Sequence, residues 1–289
     1  MNKINDSLSP YCKEKLRDKC NKIKHVALDM DGTIYMGSSL FPFTVSFLEM
    51  LTDLGIGYSF LTNNPTRNRS EYYEKLKKMG VPVVIENIYT SSLATIDYLK
   101  EFRPDIKNLF ILGTPGMMKE FEEAGFLLID IDTVNLPDAI IVAFDTTLEY
   151  KRLCHAAWLV SKNIPYFATN PDRVCPTDLP TVLVDCGSIC ACIEYATGRK
   201  PDIVIGKPNP DMLTCIAARY GIEIDETALC GDRIYTDVAT AQNAGSLGVL
   251  VLSGETTLDT ALKSERLPDI IVPSIHEFGL LLKDAKQSL

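Results

Sequence analysis

The chain has 289 residues, 46% of them hydrophobic and 23% charged, with a formal net charge of −9; these are the proportions of a globular protein large enough for one large or two moderate domains. An acidic chain without a long basic run lacks the positive footprint of a nucleic-acid binder and is ill suited to anionic membrane surfaces. No apolar run reaches the roughly 18 residues a membrane-spanning helix needs.

Taken in chain order, Met1 to Lys24 is polar and charged and has no apolar core of the kind a secretory signal carries. Within it, Ser9-Pro10 predicts a helix start, and Cys12, Leu16, Cys20 and Ile23 share one helical face. Val26 to Leu28 then predicts a strand, Pro42 to Leu54 a helix stopped by Gly55, Tyr58 to Leu61 a second strand, and Ser70 to Met79 a helix stopped by Gly80. A different stretch follows, with strands expected at Leu109 to Leu112, Ala139 to Phe144, Tyr166 to Ala168 and Thr181 to Val184, and helices at Gly116 to Ala124 and Leu148 to Asn163. The first alternation resumes with strands at Ile203 to Ile205, Thr227 to Cys230, Leu247 to Leu252 and Ile270 to Val272. Helices are expected between these from Asn209-Pro210 to Gly221 and from Thr236 to Ala244, and finally around Ile275 to Asp284. Strands alternating with helices imply a mostly parallel sheet covered on both faces. Two blocks of one alternating fold with a segment between them imply an inserted domain, expected at residues 103–186, with residues 1–102 and 187–289 forming the core.

Asp29-Met30-Asp31-Gly32-Thr33 carries the most chemistry. Its two carboxylates stand two residues apart directly after an apolar strand, where an α/β sheet presents its catalytic edge. Acids so close repel unless a cation or proton lies between them, which suits one as nucleophile and the other as general acid/base beside a metal. The alternative is a surface turn, since Asp-Gly is a common turn dipeptide. Thr62, followed by Asn63 and Asn64, also follows a strand and can offer a hydroxyl to a phosphoryl oxygen, or can simply form a turn. Gly206-Lys207-Pro208 sets a lysine at a strand end, placed to neutralise developing charge, although most lysines are solvated surface residues. In Gly231-Asp232-Arg233-Ile234-Tyr235-Thr236-Asp237, two carboxylates can converge on one hard cation such as Mg2+; alternatively Asp237 only favours a helix N-terminus.

Two further features are expected to be structural. Gly113-Thr114-Pro115-Gly116 lacks the rest of a phosphate-binding loop and should be a turn and helix start. Cys186, Cys190 and Cys192 lack the paired spacing of a zinc knuckle and should be small buried hydrophobes. Nine scattered cysteines fit a reducing, cytoplasmic setting.

D-x-D-G-T, T-N-N, G-K-P and G-D-x4-D, in that order and each after a predicted strand, resemble the haloacid dehalogenase superfamily of aspartate-nucleophile phosphatases. Thr62-Asn63-Asn64, the placement of the inserted segment and Ala196-Thr197-Gly198-Arg199 make the chain similar to the NagD and 4-nitrophenylphosphatase branch, from Lys24 onward. That resemblance implies a Rossmann-like α/β core with an inserted α/β cap, and a magnesium-dependent phosphomonoesterase acting through an aspartyl-phosphate. It implies Asp29 as nucleophile and Asp31 as general acid/base, with Lys207 offsetting charge. Gly32, Thr62, Asn63 and Asn64 would hold the phosphoryl group; Asp29, the Asp31 backbone carbonyl and Asp232 would ligate Mg2+, with Asp237 in the first or second metal shell. In similar proteins a cap loop reaches the active site, here Ala168 to Cys175, so Asn170, Asp172 and Arg173 are expected to select the leaving group. The alternative for that loop is a turn set by Pro171.

Cys175 stands where pyridoxal phosphate phosphatases have a His, which favours a sugar phosphate or nucleotide as the small phosphorylated metabolite. One departure is visible: relatives have Pro-Gly-x-Gly-Ser where this chain has Val184-Asp185-Cys186-Gly187-Ser188. No nucleic-acid or membrane partner is expected; the sequence does not fix the oligomeric state, and a homodimer through the cap is one arrangement open to it. A phosphotransferase or phosphomutase would share the nucleophile and metal, whereas a non-catalytic phosphate-ligand binder would be expected to lose one of Asp29, Asp31 or Asp232.

Overall fold

The computed structural model describes residues 10–132, 135–175 and 180–287. Its strands are, in chain order, β1 His25–Leu28, β2 Tyr35–Met36, β3 Ser39–Leu40, β4 Gly57–Thr62, β5 Ile88–Thr90, β6 Asn108–Leu112, β7 Leu127–Leu128 and β8 Ala139–Val142. They continue with β9 Tyr166–Ala168, β10 Val174–Cys175, β11 Leu183–Val184, β12 Ile203–Val204, β13 Thr227–Gly231, β14 Leu247–Val251 and β15 Ile270–Val272. The chain divides into two compact units, one of residues 1–61, 73–88 and 207–289 and the other of residues 62–72 and 89–206. The second is thus inserted in the first, and both are α/β.

The first unit is built on a six-stranded sheet of order β15-β14-β13-β1-β4-β5. β1 lies parallel to β13 and to β4, pairing Leu28 with Cys230 on one side and with Phe60 on the other. Every residue of β1, β13 and β14 is buried. Continuous apolar strands of this kind require helices on both faces, and the helices supply them. Helix Thr44–Asp53 buries Phe47, Leu48 and Leu51, and helix Ile275–Gln287 buries Phe278 and Leu282. Helix Asp211–Tyr220 ends at Gly221 in the left-handed conformation, as its glycine stop predicted. The first helix spans Pro10–Lys22 and buries Cys20, with Ile23 just beyond it; the proposed cap Ser9 lies outside the described residues.

The second unit carries a five-stranded sheet of order β12-β9-β8-β6-β7, parallel at every pairing. Its core joins Phe110, Leu112, Ile140, Val142 and Tyr166 to Leu159, Ile189 and Ile193 from the covering helices. Helix Tyr150–Ser161 carries the single tryptophan, Trp158, which is 46% exposed with its ring 5.3 Å from that of His155. Gly113-Thr114 is the expected turn and helix start: Thr114 caps helix Pro115–Glu123 by accepting from Met117 N.

The boundaries differ from those expected. Helix Ser91–Phe102 belongs to the inserted unit, where Tyr98 meets the Phe167 ring at 6.1 Å. Helix Cys186–Thr197 does too, because Cys186, Ile189, Cys190 and Ile193 are part of that unit's core. β12 pairs with β9 of the insert, although its position after the insert suggested the core sheet. The expected strand Thr181 to Val184 shrinks to β11 in a two-stranded antiparallel pair with β10. Among the described residues, no helix is long and apolar enough to cross a membrane.

His25 opens β1 in a buried position, with Nε2 2.8 Å from Ser59 Oγ and its ring 4.3 Å from that of Tyr220. Burial pulls its pKa from 6.5 down to about 4. A depressed histidine leaves stability untouched above the unfolded value and removes it as pH falls from 6.5 toward 4, because the unfolded chain takes up the proton first. Unfolding followed by far-ultraviolet circular dichroism should show a loss from about pH 7 to pH 5 that exceeds the loss in His25→Gln by on the order of 2 kcal/mol. Equal losses in the two proteins would contradict this account.

Candidate active site

The first unit's sheet grows outward from β1 through β4 on one side and from β13 through β14 on the other. Strand order therefore reverses between β1 and β13, and an open α/β sheet has its ligand crevice beyond the carboxyl ends at such a point. Asp29 follows β1 and Asp232 follows β13, with Asp29 N donating to Cys230 O at 2.8 Å. Asp237 comes from the segment Ile234–Val238, a π-helical turn in which Ala239 N donates to Ile234 O; only then does the α-helix Ala239–Ala244 begin. The sequence predicted plain α-helix there. The wider turn lets Arg233 N donate to Asp237 Oδ2 at 3.1 Å.

Oxygens of Asp29, Asp232 and Asp237 lie within 4.8 Å of one another. Lys207 is buried and its Nζ donates to Asp29 Oδ1 at 2.5 Å and to Asp237 Oδ1 at 2.6 Å. One ammonium thus faces three carboxylates. Burial pushes the Asp29 carboxyl up to about 8 against the pull of Lys207, with Asp237 and Asp232 adding repulsion. Burial, and next Asp237, raise Asp232 to about 6. Asp232 Oδ1 is buried and has no hydrogen-bond partner. Crowded hard oxygens, one of them orphaned, fit a divalent cation such as magnesium and suit no soft metal.

Asp31 is exposed, beyond the strand end, and Gly32 takes up the left-handed conformation with φ +83°. A side chain at Gly32 would collide with the Asp232 carboxylate. The segment Ser253–Thr256, which follows β14, closes the same corner: Ser253 Oγ donates to Gly32 O at 2.7 Å and Glu255 N donates to Asp232 Oδ2 at 2.6 Å. Sequence reasoning passed over this segment, although it too follows an apolar strand, as the recognised motifs do.

The remaining predicted residues lie in the second unit. Thr62 closes β4, and its Oγ1 accepts from Asn64 N at 3.1 Å. Asn63 Nδ2 donates to Asp172 Oδ2 at 3.0 Å, and Asn170 Nδ2 donates to the same oxygen at 3.2 Å and to Asp185 Oδ1 at 3.0 Å. Asn170 and Asp172 are buried, whereas Arg173 is exposed. The departure at residues 184–188 has a clear result: Asp185 caps helix Cys186–Thr197 by accepting from Cys186 N, while Gly187 N donates to Asp172 O at 2.8 Å. Cys186 and Cys190 are buried in that helix with their sulfurs 3.9 Å apart, as expected of small hydrophobes, but Cys192 is exposed and departs from that expectation. Among the described residues the only group of three or more with metal-binding spacing is Asp29, Asp232 and Asp237.

Two family models match the chain, haloacid dehalogenase-like hydrolase over residues 26–127 and HAD-hydrolase-like over residues 204–278. Ribonucleotide monophosphatase NagD of Escherichia coli is 31% identical over 259 residues, covering 90% of this chain and 99% of the relative. The chain belongs to the haloacid dehalogenase-like hydrolases. An acid sugar phosphatase of Staphylococcus aureus is 30% identical over 88% of this chain and 96% of its own. The crystal structure of a 4-nitrophenylphosphatase from Thermotoga maritima superposes with a TM-score of 0.85 at 40% identity, covering 91% of this chain and 98% of the other. Within the hydrolase family the chain is a phosphatase of the NagD-like kind.

In this hydrolase Lys207 is the counter-charge of a buried acid cluster, and removing one partner of a buried pair costs about 3–5 kcal/mol. Lys207→Met would leave burial and the neighbouring acids to push Asp29 further up. A carboxyl with a raised folded pKa loses stability as pH climbs above its unfolded value. In a chelator, calorimetric melting should therefore show a larger deficit for Lys207→Met at about pH 8 than at pH 5. A deficit independent of pH would count against this role.

Proposed function

We propose that the protein is a magnesium-dependent phosphomonoester hydrolase that works through an aspartyl-phosphate on Asp29. The carrying observation is the buried cluster at the switch point, with Asp29 and Asp237 both on Lys207 and Asp232 Oδ1 orphaned. Asp29, Asp232 and the backbone carbonyl of Asp31 would hold the cation, with Asp237 anchoring Lys207. Bound there, magnesium would supply positive charge against which an anionic ester and an anionic nucleophile can meet. Asp29 attacks phosphorus in line as the P–O bond to the leaving group breaks. Lys207 offsets the charge, and Thr62, Asn63, Asn64 and the backbone at Gly32 hold the phosphoryl oxygens. Asp31 is exposed and so able to exchange protons; it protonates the departing alkoxide and then takes a proton from the water that releases phosphate.

Incubation with a chelator should abolish hydrolysis of a nitrophenyl ester, magnesium should restore it, and Asp29→Asn should stay inactive with magnesium present. Full activity in chelator, or about a tenth of wild-type kcat in Asp29→Asn, would reject the reading, since a lost nucleophile costs far more than tenfold.

The second unit is the cap in this reading, and the substrate is a small phosphorylated metabolite, a sugar phosphate or a nucleotide. The relatives' names, a ribonucleotide monophosphatase and an acid sugar phosphatase, support that pair of classes. A cytoplasmic setting belongs to the same reading. In the loop from Ala168 to Cys175, the exposed Arg173 is the group available to a leaving group, while Asn170 and Asp172 hold the loop's shape. Arg173→Ala should change kcat/KM unequally across a panel of sugar phosphates and nucleotides and leave a nitrophenyl ester nearly unaffected. A uniform change across the panel would remove Arg173 as selector.

A further inference from the structure

The segment Ser253-Gly254-Glu255-Thr256 belongs to none of the recognised motifs, yet it is bonded to them at several points. Ser253 Oγ donates to Gly32 O at 2.7 Å, and Thr256 N donates to Asp232 O at 3.2 Å. Between them, Glu255 N donates to Asp232 Oδ2 at 2.6 Å. Gly254 packs so tightly that a Cβ would overlap the Asp232 carboxylate. The Glu255 carboxylate is occupied in turn: Oε2 lies 2.9 Å from Arg233 Nε and Oε1 accepts from Tyr235 OH at 3.0 Å. Arg233 and Tyr235 stand on either side of Ile234, in the loop and turn that carry Asp232 and Asp237.

We propose that Ser253–Thr256 is a positioning strap for the metal ligand Asp232, with Glu255 as its fastening. The backbone N–H of Glu255 engages Oδ2 of Asp232 and so leaves Oδ1, buried and without a hydrogen-bond partner, as the oxygen that would ligate a cation. The Glu255 side chain prevents the strap from drifting, because it grips Arg233 and Tyr235 and so ties itself to the loop it orients. An aspartate that can rotate about its χ angles must lose that freedom on binding a cation, and a second layer of bonds removes the freedom beforehand. Gly254 is what allows the strap to lie flat against the carboxylate. This inference rests on the metal-dependent reading of the site.

The test is magnesium binding to the metal-free protein by titration calorimetry, alongside the melting temperature in chelator. Glu255→Ala should raise the magnesium Kd roughly 10-fold, the scale typical of lost outer bonds to a metal ligand. Glu255→Gln, which retains hydrogen-bonding atoms but no charge for Arg233, should raise it less and serves if the alanine variant does not fold. Raised magnesium should recover hydrolysis in both variants. Lys263→Ala, which breaks only the exposed pair with Asp259 on the neighbouring helix, should leave Kd unchanged. A wild-type Kd retained by both Glu255 variants would overturn the strap while leaving the metal-dependent reading intact. A lower melting temperature in chelator with unaltered Kd would likewise assign Glu255 a merely structural role. A wild-type protein that binds no magnesium would instead overturn the reading on which the strap rests.

Discussion

Everything at the site follows from one electrostatic constraint: three carboxylates converge within 4.8 Å, mostly shielded from water, and one ammonium answers them. Lys207 is bound to Asp29 and Asp237 and so spans the cluster, and Asp232 is left to find other donors. The fold supplies one from a backbone N–H, which needs no side-chain freedom to be given up. A charge excess of this kind destabilises the unloaded protein, since buried carboxylates resist ionisation. It is also what makes the crevice attractive to a divalent cation. Stability and function pull in opposite directions at this point of the sheet.

The sheet's topology turns that constraint into a site. β1 and β13 are distant in sequence and adjacent in space, so acids near residues 29 and 232 meet without any loop having to carry them. The π-helical turn after β13 adds the last increment. Widening one turn by a residue redirects Asp237 toward Lys207 and toward the backbone of Arg233, at the expense of regular α-helical bonding. Such turns are uncommon and tend to occur where function requires them.

Much of this was legible because the chemistry sits at strand ends and the strands announce themselves. Val26 to Leu28 and Thr227 to Cys230 are short apolar runs followed at once by acids, and periodicity places both. What periodicity lacks is partner choice. Ile203 to Ile205 was recognisable as a strand, but nothing local says that it pairs with Tyr166 to Ala168 and not with the core sheet. Helix Cys186–Thr197 escaped notice because its small residues and cysteines give little contrast between faces, and only its place in the core with Val142 and Tyr166, where Cys186 Sγ donates to Val142 O, makes it a buried helix. Asn170 and Asp172 look in sequence like polar groups awaiting a ligand; the structure has Asn170 bonded to Asp172 and Asp185 and has Asp172 Oδ2 bonded to Asn63, while Asp172 Oδ1 is buried without a hydrogen-bond partner. The π turn had no sequence signal at all. Glu255 had a weak one, its place just past an apolar strand, but a lone Ser-Gly-Glu in a loop is too common to single out.

The placement of Trp158 has an optical consequence. As the chain's single tryptophan, on a helix of the inserted unit, it makes intrinsic emission at long excitation wavelengths a reporter of that unit alone. Partial exposure should put its emission between the blue-shifted and water-relaxed limits, and the nearby His155 ring offers a quencher whose strength varies with its protonation. A fluorescence melt therefore follows the inserted unit, whereas a dichroism melt of the same sample sums the helices and strands of both. Their divergence would resolve whether the two units unfold together or in sequence, without a label or a mutation.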